Sequence, residues 1–133
     1  MAIIYPDVEK IIIAFLKSEF DSISDPLAAN VRVATKKAAP DEVQPAKQVV
    51  IVGSYNDTLD GPLRAASLVV DVYASDYETA SSLALLVAAV IVECIGDPIK
   101  RAVVTVGPVR LTDETPDEKR SLSVDLTVKG STL

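Results

Sequence analysis

LVVDVYA (68–74), running straight into SDYETASSLALLVAAVIVECI (75–95), decides the fold. The first part alternates, with Leu68, Val70, Val72 and Ala74 on one side and Val69, Asp71 and Tyr73 on the other, which is the period of a strand. The second part reads as a helix. Ser75 suits its N-cap, with Glu78 three residues on to complete a capping box. Gly96 suits a left-handed C′ position, and Asp97-Pro98 prevents the helix from restarting. Every residue from Leu83 to Val92 is apolar, so the second half of this helix has no wholly polar face and must be covered on more than one side. A charge placed at Leu86, in the middle of that run, is expected to prevent folding.

Upstream, Asp7 opens a helix to about Phe20, with Val8, Ile11, Ile12, Phe15, Leu16 and Phe20 at helical spacing and Ile13 beside the stripe. DSISDPLAAN (21–30) is a connector, and Val31–Thr35 alternates as a short strand. KKAAPDEVQPAK (36–47) has two prolines, mixed charge and no period, and predicts a long exposed loop. QVVIVGS (48–54) is a strand covered on both faces, and YNDTLDGPL (55–63) a turn segment. Downstream, RAVVTVGPVRL (101–111) is a strand in which Gly107-Pro108 marks a bulge, kink or edge. TDETPDEK (112–119) is an acidic loop. RSLSVDLTVK (120–129) sends Leu122, Val124, Leu126 and Val128 inward, and the last residues are expected to fray.

The order α-β-β-β-α-β-β, with neighbouring strands joined by loops, predicts one α+β domain over residues 1–133. Its sheet is mainly antiparallel, of about five strands, with two helices packed on one face. The second face, carrying Val69, Asp71 and Tyr73, then has no segment to lie over it. Arg64, Arg110 and Arg120 are candidate partners for Asp71.

The chain has no histidine, one cysteine and isolated glycines. Ser-His-Asp and Cys-His catalysis, nearly all zinc sites and Gly-rich phosphate loops are thereby excluded. Asp113, Glu114, Asp117 and Glu118 form the densest carboxylate cluster, and their position in a Pro-tipped loop reads as a solvated turn rather than a catalytic pair. No catalytic, metal-binding or cofactor-binding residue is expected, and no cofactor. A net charge of −6 argues against gripping nucleic acid through phosphates. No uninterrupted apolar run reaches the length of a membrane span, and the N-terminus lacks a basic n-region, so a soluble protein made in the cytoplasm is expected. Self-association is the natural way to cover the remaining apolar surface.

The succession PDVEKIIIAFLKS, VRVAT, VVIVGS, DVYASDYETASSLA and VGPVRLTDETPDEKRSLSVDLTVKG, across residues 5–129, resembles the tail terminator, or tail-completion, proteins of long-tailed bacteriophages. The resemblance implies a non-enzymatic virion protein of the tail or neck. Its subunits would form a homo-oligomeric, hexameric ring that caps the tail tube, ends polymerisation and meets the head connector, while DNA passes through unbound. Its partners would be its own copies, the major tail-tube protein and the neck proteins. On that reading Val69, Asp71, Tyr73 and Arg64 are candidates for the subunit interface. Lys36, Lys37, Asp41, Glu42 and Lys47 are candidates for contact with the tube or a neighbour. Asp57, Asp60, Asp113, Glu114, Asp117 and Glu118 are candidates for lining the channel, where negative charge would repel phosphate. The competing expectations are a head-completion or neck connector protein, and a small carboxylate-based enzymatic or ligand-binding domain.

Overall fold

The structure, a computed structural model, describes residues 2–113 and 115–132. Helix α1 (Val8–Ser22) and helix α2 (Tyr77–Ile91) lie on one side of a five-stranded sheet. The sheet is built from β2 (Val31–Ala34), β3 (Lys47–Thr58), β4 (Leu63–Ala74), β5 (Ile99–Leu111) and β6 (Glu118–Lys129), in the order β2-β3-β4-β6-β5. Two short strands, β1 (Ile3–Ile4) and β7 (Ser131–Thr132), pair separately.

The core is the layer between helices and sheet. Val8, Ile12, Leu16 and Phe20, each one turn apart, form the buried line of α1. Leu83, Ala84, Val87, Val90 and Ile91 of α2 meet Leu68, Val70 and Val72 of β4 and Leu122, Val124, Leu126 and Val128 of β6 in the same cluster. Helix α2 with its 3-10 extension is long and apolar enough to cross a membrane, but its inner face is taken up by this core. Leu86 is only partly buried; Leu83 and Val87 occupy the fully enclosed positions. Close approach of α1 to the sheet depends on Gly53, where a Cβ would stand 2.8 Å from Leu68 and 3.2 Å from Val8. The Glu9 carboxylate accepts the Gly53 N–H at 2.8 Å and fixes the helix there.

Several local expectations change. The N-cap of α2 is Asp76, not Ser75: its carboxylate accepts from Thr79 N at 2.8 Å and Thr79 Oγ1 at 2.9 Å. An ionised acceptor at the positive end of the helix dipole is the stronger cap, and those hydrogen bonds hold the Asp76 carboxyl below its ordinary range. Helix α2 ends at Ile91 and tightens into a 3-10 turn, Val92–Cys94. Gly96 therefore does not cap the helix; it exchanges backbone hydrogen bonds with Ile99 and launches β5. β3 and β4 run on through much of the segment expected as a turn, leaving residues 59–62 as the hairpin loop. Within β5, Gly107 (φ 89°) lies beside Ser121 O, where a Cβ would stand 2.5 Å away, and the register shifts on both sides of it. That is a bulge in an edge strand.

The topology departs further from loops joining antiparallel neighbours. β2 runs parallel to β3, so the chain must travel back along the sheet before β3 begins, and residues 35–46 are that return path. Helix α2 is itself a crossover: β4 and β5 both run antiparallel to β6, which lies between them. The terminal residues Ser131 and Thr132 are tied to Ile4 and Ile3.

Candidate functional site

Side chains on the second sheet face follow from strand parity and register. One row across the sheet reads Val52, Val69, Ser123, Val106, and the next reads Val50, Asp71, Ser121, Val109. Val52, Val69, Val106, Val109 and Leu111 are exposed, Val69 to 45%. A band of β-branched and small polar side chains thus faces outward, with the long edge strand β5 forming one margin. Such a face suits a broad protein contact more than a pocket for a small molecule.

One end of this face is covered from within the chain, contrary to expectation. The loop after β2 is pinned by Gln48, whose Oε1 accepts from Ala38 N at 2.8 Å. Lys37 then stands 4.5 Å above the Tyr73 ring, and Tyr73 is only 7% exposed. The Lys37 ammonium reaches Asp117 at 3.0 Å, Asp113 at 3.1 Å and Thr115 Oγ1 at 3.1 Å. Two loops expected to act separately are therefore latched together. Partial burial works against the charge on Lys37, but the hydrogen bonds to Asp117 and Asp113 outweigh it and hold its pKa above the ordinary value. Asp113 is held below the usual carboxylate range by Thr115 first and Lys37 second. A general acid needs a shift the other way.

Asp71 is partnered by Lys119 at 3.9 Å, not by any of the three arginines. Lys119 pairs directly with Tyr73 on the adjoining strand, and the Asp71 charge helps to raise its pKa against the opposing effect of burial. Arg64 belongs to the helix side of β4, with its guanidinium 5.3 Å from the Tyr55 ring and 5.5 Å from the Tyr5 ring. It does not share a face with Val69, Asp71 and Tyr73. Arg120 also points to the helix side, where it is 4% exposed. It donates to Ser81 Oγ at 3.1 Å and lies 4.7 Å from the Tyr77 ring, with Arg110 5.0 Å from the same ring. Glu118 binds both guanidinium groups, Arg110 at 3.0 Å and Arg120 at 3.7 Å.

The remaining candidates divide by position. Lys36, Asp41 and Glu42 are exposed, and between Glu42 and Gln44 the side chain of Val43 projects almost fully (94%). Lys47 is held by the carbonyls of Pro26 and Leu27 at 2.8 and 2.9 Å. Asp113, Asp117 and Glu118 are spent on ion pairs; Glu114 lies outside the described residues. Asp57 and Asp60 are exposed at the hairpin, which is the opposite end of β4, roughly 35–40 Å from the 112–117 loop. The two acidic groups therefore belong to different ends of the molecule. Among the described residues no group of three or more His, Cys, Asp and Glu side chains could hold a metal ion. Cys94 is buried, and burial raises its pKa, so its thiol stays protonated.

Val52, Val106, Val109, Leu111 and Lys119 were missed as members of this surface. Parity would have placed Lys119, since Leu122 and its even-numbered partners fill the core and odd residues of β6 must face outward. The same rule excludes Arg64 and Arg120 as partners of Asp71.

No protein-family model and no curated protein matches this sequence. Among solved structures, the chain is similar to one in the virion of a native gene transfer agent (GTA) particle, with a TM-score of 0.65 and 17% sequence identity. The match covers 89% of this chain and 94% of that one. At that identity it is the fold that the two share.

Proposed function

We propose that this chain is a structural virion subunit of a tailed, phage-type particle and that it forms a ring capping the tail tube. The observation that carries the reading is the whole-subunit likeness to a chain of a GTA virion. The match extends over nearly the full length of both chains, so it concerns the entire subunit and not a common fragment. The open sheet face with its exposed Val52, Val69 and Val106 gives such a subunit a surface to bury in an assembly. The resemblance of the strand-to-helix unit and the last hairpin to tail terminators supplies the finer assignment. In this reading the 36–46 loop, with Asp41, Glu42 and the projecting Val43, meets the tube. Asp57 and Asp60, which carry no ion pair among the described residues, stand at the channel and repel passing DNA.

Negative-stain images of the purified protein, alone and mixed with assembled tail tubes of the parent particle, test the proposal. Rings alone, or single caps at tube ends, are expected. Neither rings nor caps would end it. Deletion of the gene separates a terminator from a neck component: overlong tails support the former, and tails of normal length lacking heads the latter.

A further inference from the structure

β2 and β5 are the two margins of the sheet, and each margin is flanked by one helix. Beside β2, α1 and Thr35 enclose a shallow cleft of about 390 Å³ formed by Ile13, Ala14 and the stems of Lys10 and Lys17. The acids at its end are already engaged: Asp7 caps the helix through Lys10 N, and Glu9 holds Gly53 N. Lys10 and Lys17 have no ion pair among the described residues and flank the apolar part of the cleft, while Asp7 and Glu9 keep their negative charge at one end of it. Beside β5, α2 presents Leu85 as an apolar knob, 63% exposed, next to Pro108 and Tyr77. Glu78 and Glu93 lie towards the two ends of the same helical segment, exposed and free of ion pairs among the described residues, Glu78 in line with Leu85 and Glu93 about a quarter turn round from it. The nearby bases are engaged, Arg110 by Glu118 and Arg120 inside the core margin. One margin therefore offers an apolar cleft between two free cations, and the other an apolar knob between two free anions.

Resting on the ring reading above, we infer that the contact between neighbouring copies is head-to-tail, with Leu85 of one copy seated in the Ile13–Ala14 cleft of the next and Lys10 and Lys17 facing Glu78 and Glu93. Two different patches on opposite margins of one subunit are what a heterologous contact requires, and repetition of such a contact closes a ring when its rotation divides the circle. The lysines lie two turns apart, about 10 Å, and the glutamates about 22 Å apart, so with the knob centred each extended lysine stem must reach outward along the helix towards its glutamate. Their side chains can meet once the knob is centred between the lysines. The Val69–Asp71 sheet face is then left for another component of the particle.

Charge exchange tests this directly. K10E/K17E makes both flanks acidic, and E78K/E93K makes both basic. All four positions are exposed, so circular dichroism should match the parent, with a slightly lower melting temperature for E78K/E93K because Glu78 lies in the first turn of α2. Each variant alone should need roughly tenfold or more higher concentration, or a higher density of tube ends, to form rings, because like charges now meet. An equimolar mixture should restore rings in which the two variants alternate, visible by native mass spectrometry. D71K should leave assembly unchanged. If both charge variants assemble like the parent, or the mixture fails to recover, the flank contact is wrong. Loss of rings in D71K alone would move the contact to the sheet face while keeping the ring. A parent protein that forms neither rings nor caps would remove the ring reading itself.

Discussion

Arg120 shows how one charged side chain is accommodated in an apolar layer. It is enclosed between the start of α2 and β6, with Ser81 Oγ, the Tyr77 and Lys119 carbonyls and the Glu118 carboxylate around its guanidinium and the Tyr77 ring against its flat side. Every buried side-chain nitrogen and oxygen among the described residues has a hydrogen-bond partner, which offsets part of the cost of desolvating the charge. Replacing Arg120 by Met keeps the volume but leaves Glu118 with Arg110 alone and strands Ser81. We expect a loss of roughly 2–3 kcal/mol in urea unfolding, with an unchanged m value. R120K, which keeps the charge but not the planar fork, should recover only part of it. Leu83 and Leu86 make a sharper pair, because the apolar run does not distinguish them. Leu83 is fully enclosed and Leu86 only partly, so L83D should leave no folded protein by circular dichroism. L86D should yield a folded chain with a lower melting temperature, since its carboxylate can reach water.

The latch formed by Lys37 operates at the scale of elements. It joins the return path between β2 and β3 to the β5–β6 loop, through residues 76 positions apart in the chain. The pH window follows from the directions of the shifts. Asp113 has a lowered pKa in the folded state, so its contribution is present above the ordinary carboxylate value, about 4, and disappears as pH falls through the lower folded value. Lys37 has a raised pKa, so its contribution is complete below about 10.5 and disappears as pH rises through the higher folded value. The latch should therefore hold unchanged from about pH 5 to 10. K37M should raise amide hydrogen exchange in residues 36–46 and 112–117 severalfold at pH 7 while leaving the β4–β6 ladder protected. Equal exchange in parent and variant would show that Gln48 and the turn backbone hold the loops without it. The long loop itself has a plain cause in the topology: parallel pairing of β2 with β3 demands a return path, which an antiparallel pair would not.

At the scale of the whole molecule, the chain is a one-sided sandwich, and the uncovered side and the two margins are the surfaces its own elements leave open. Two helices cover one face of five strands and leave the other to a single loop crossing and a band of valines. The two helices and the five main strands were legible in the sequence, as was the inward side of most of them; the β1–β7 pair, the extension of β3 to Thr58 and the exposure of Val52 were not. The line Val8, Ile12, Leu16, Phe20 and the alternation of Leu122, Val124, Leu126, Val128 are local periods, and burial acts on each residue through its immediate neighbours in the chain. The Asp7 cap and the bulge at Gly107-Pro108 were legible for the same reason. Parity, applied strictly, also places Arg64 and Arg120 on the helix side and Lys119 beside Asp71, contrary to the expectation that the arginines would partner Asp71. What sequence could not carry was adjacency. The order β2-β3-β4-β6-β5, the parallel entry of β2, the Lys37 bridge to Asp113 and Asp117, and the separation of the two acidic groups to opposite ends all depend on which strands lie side by side. A period of two or of 3.6 residues specifies a face but no neighbour. Only the closing of the core, where distant segments compete to cover the same apolar surface, selects one.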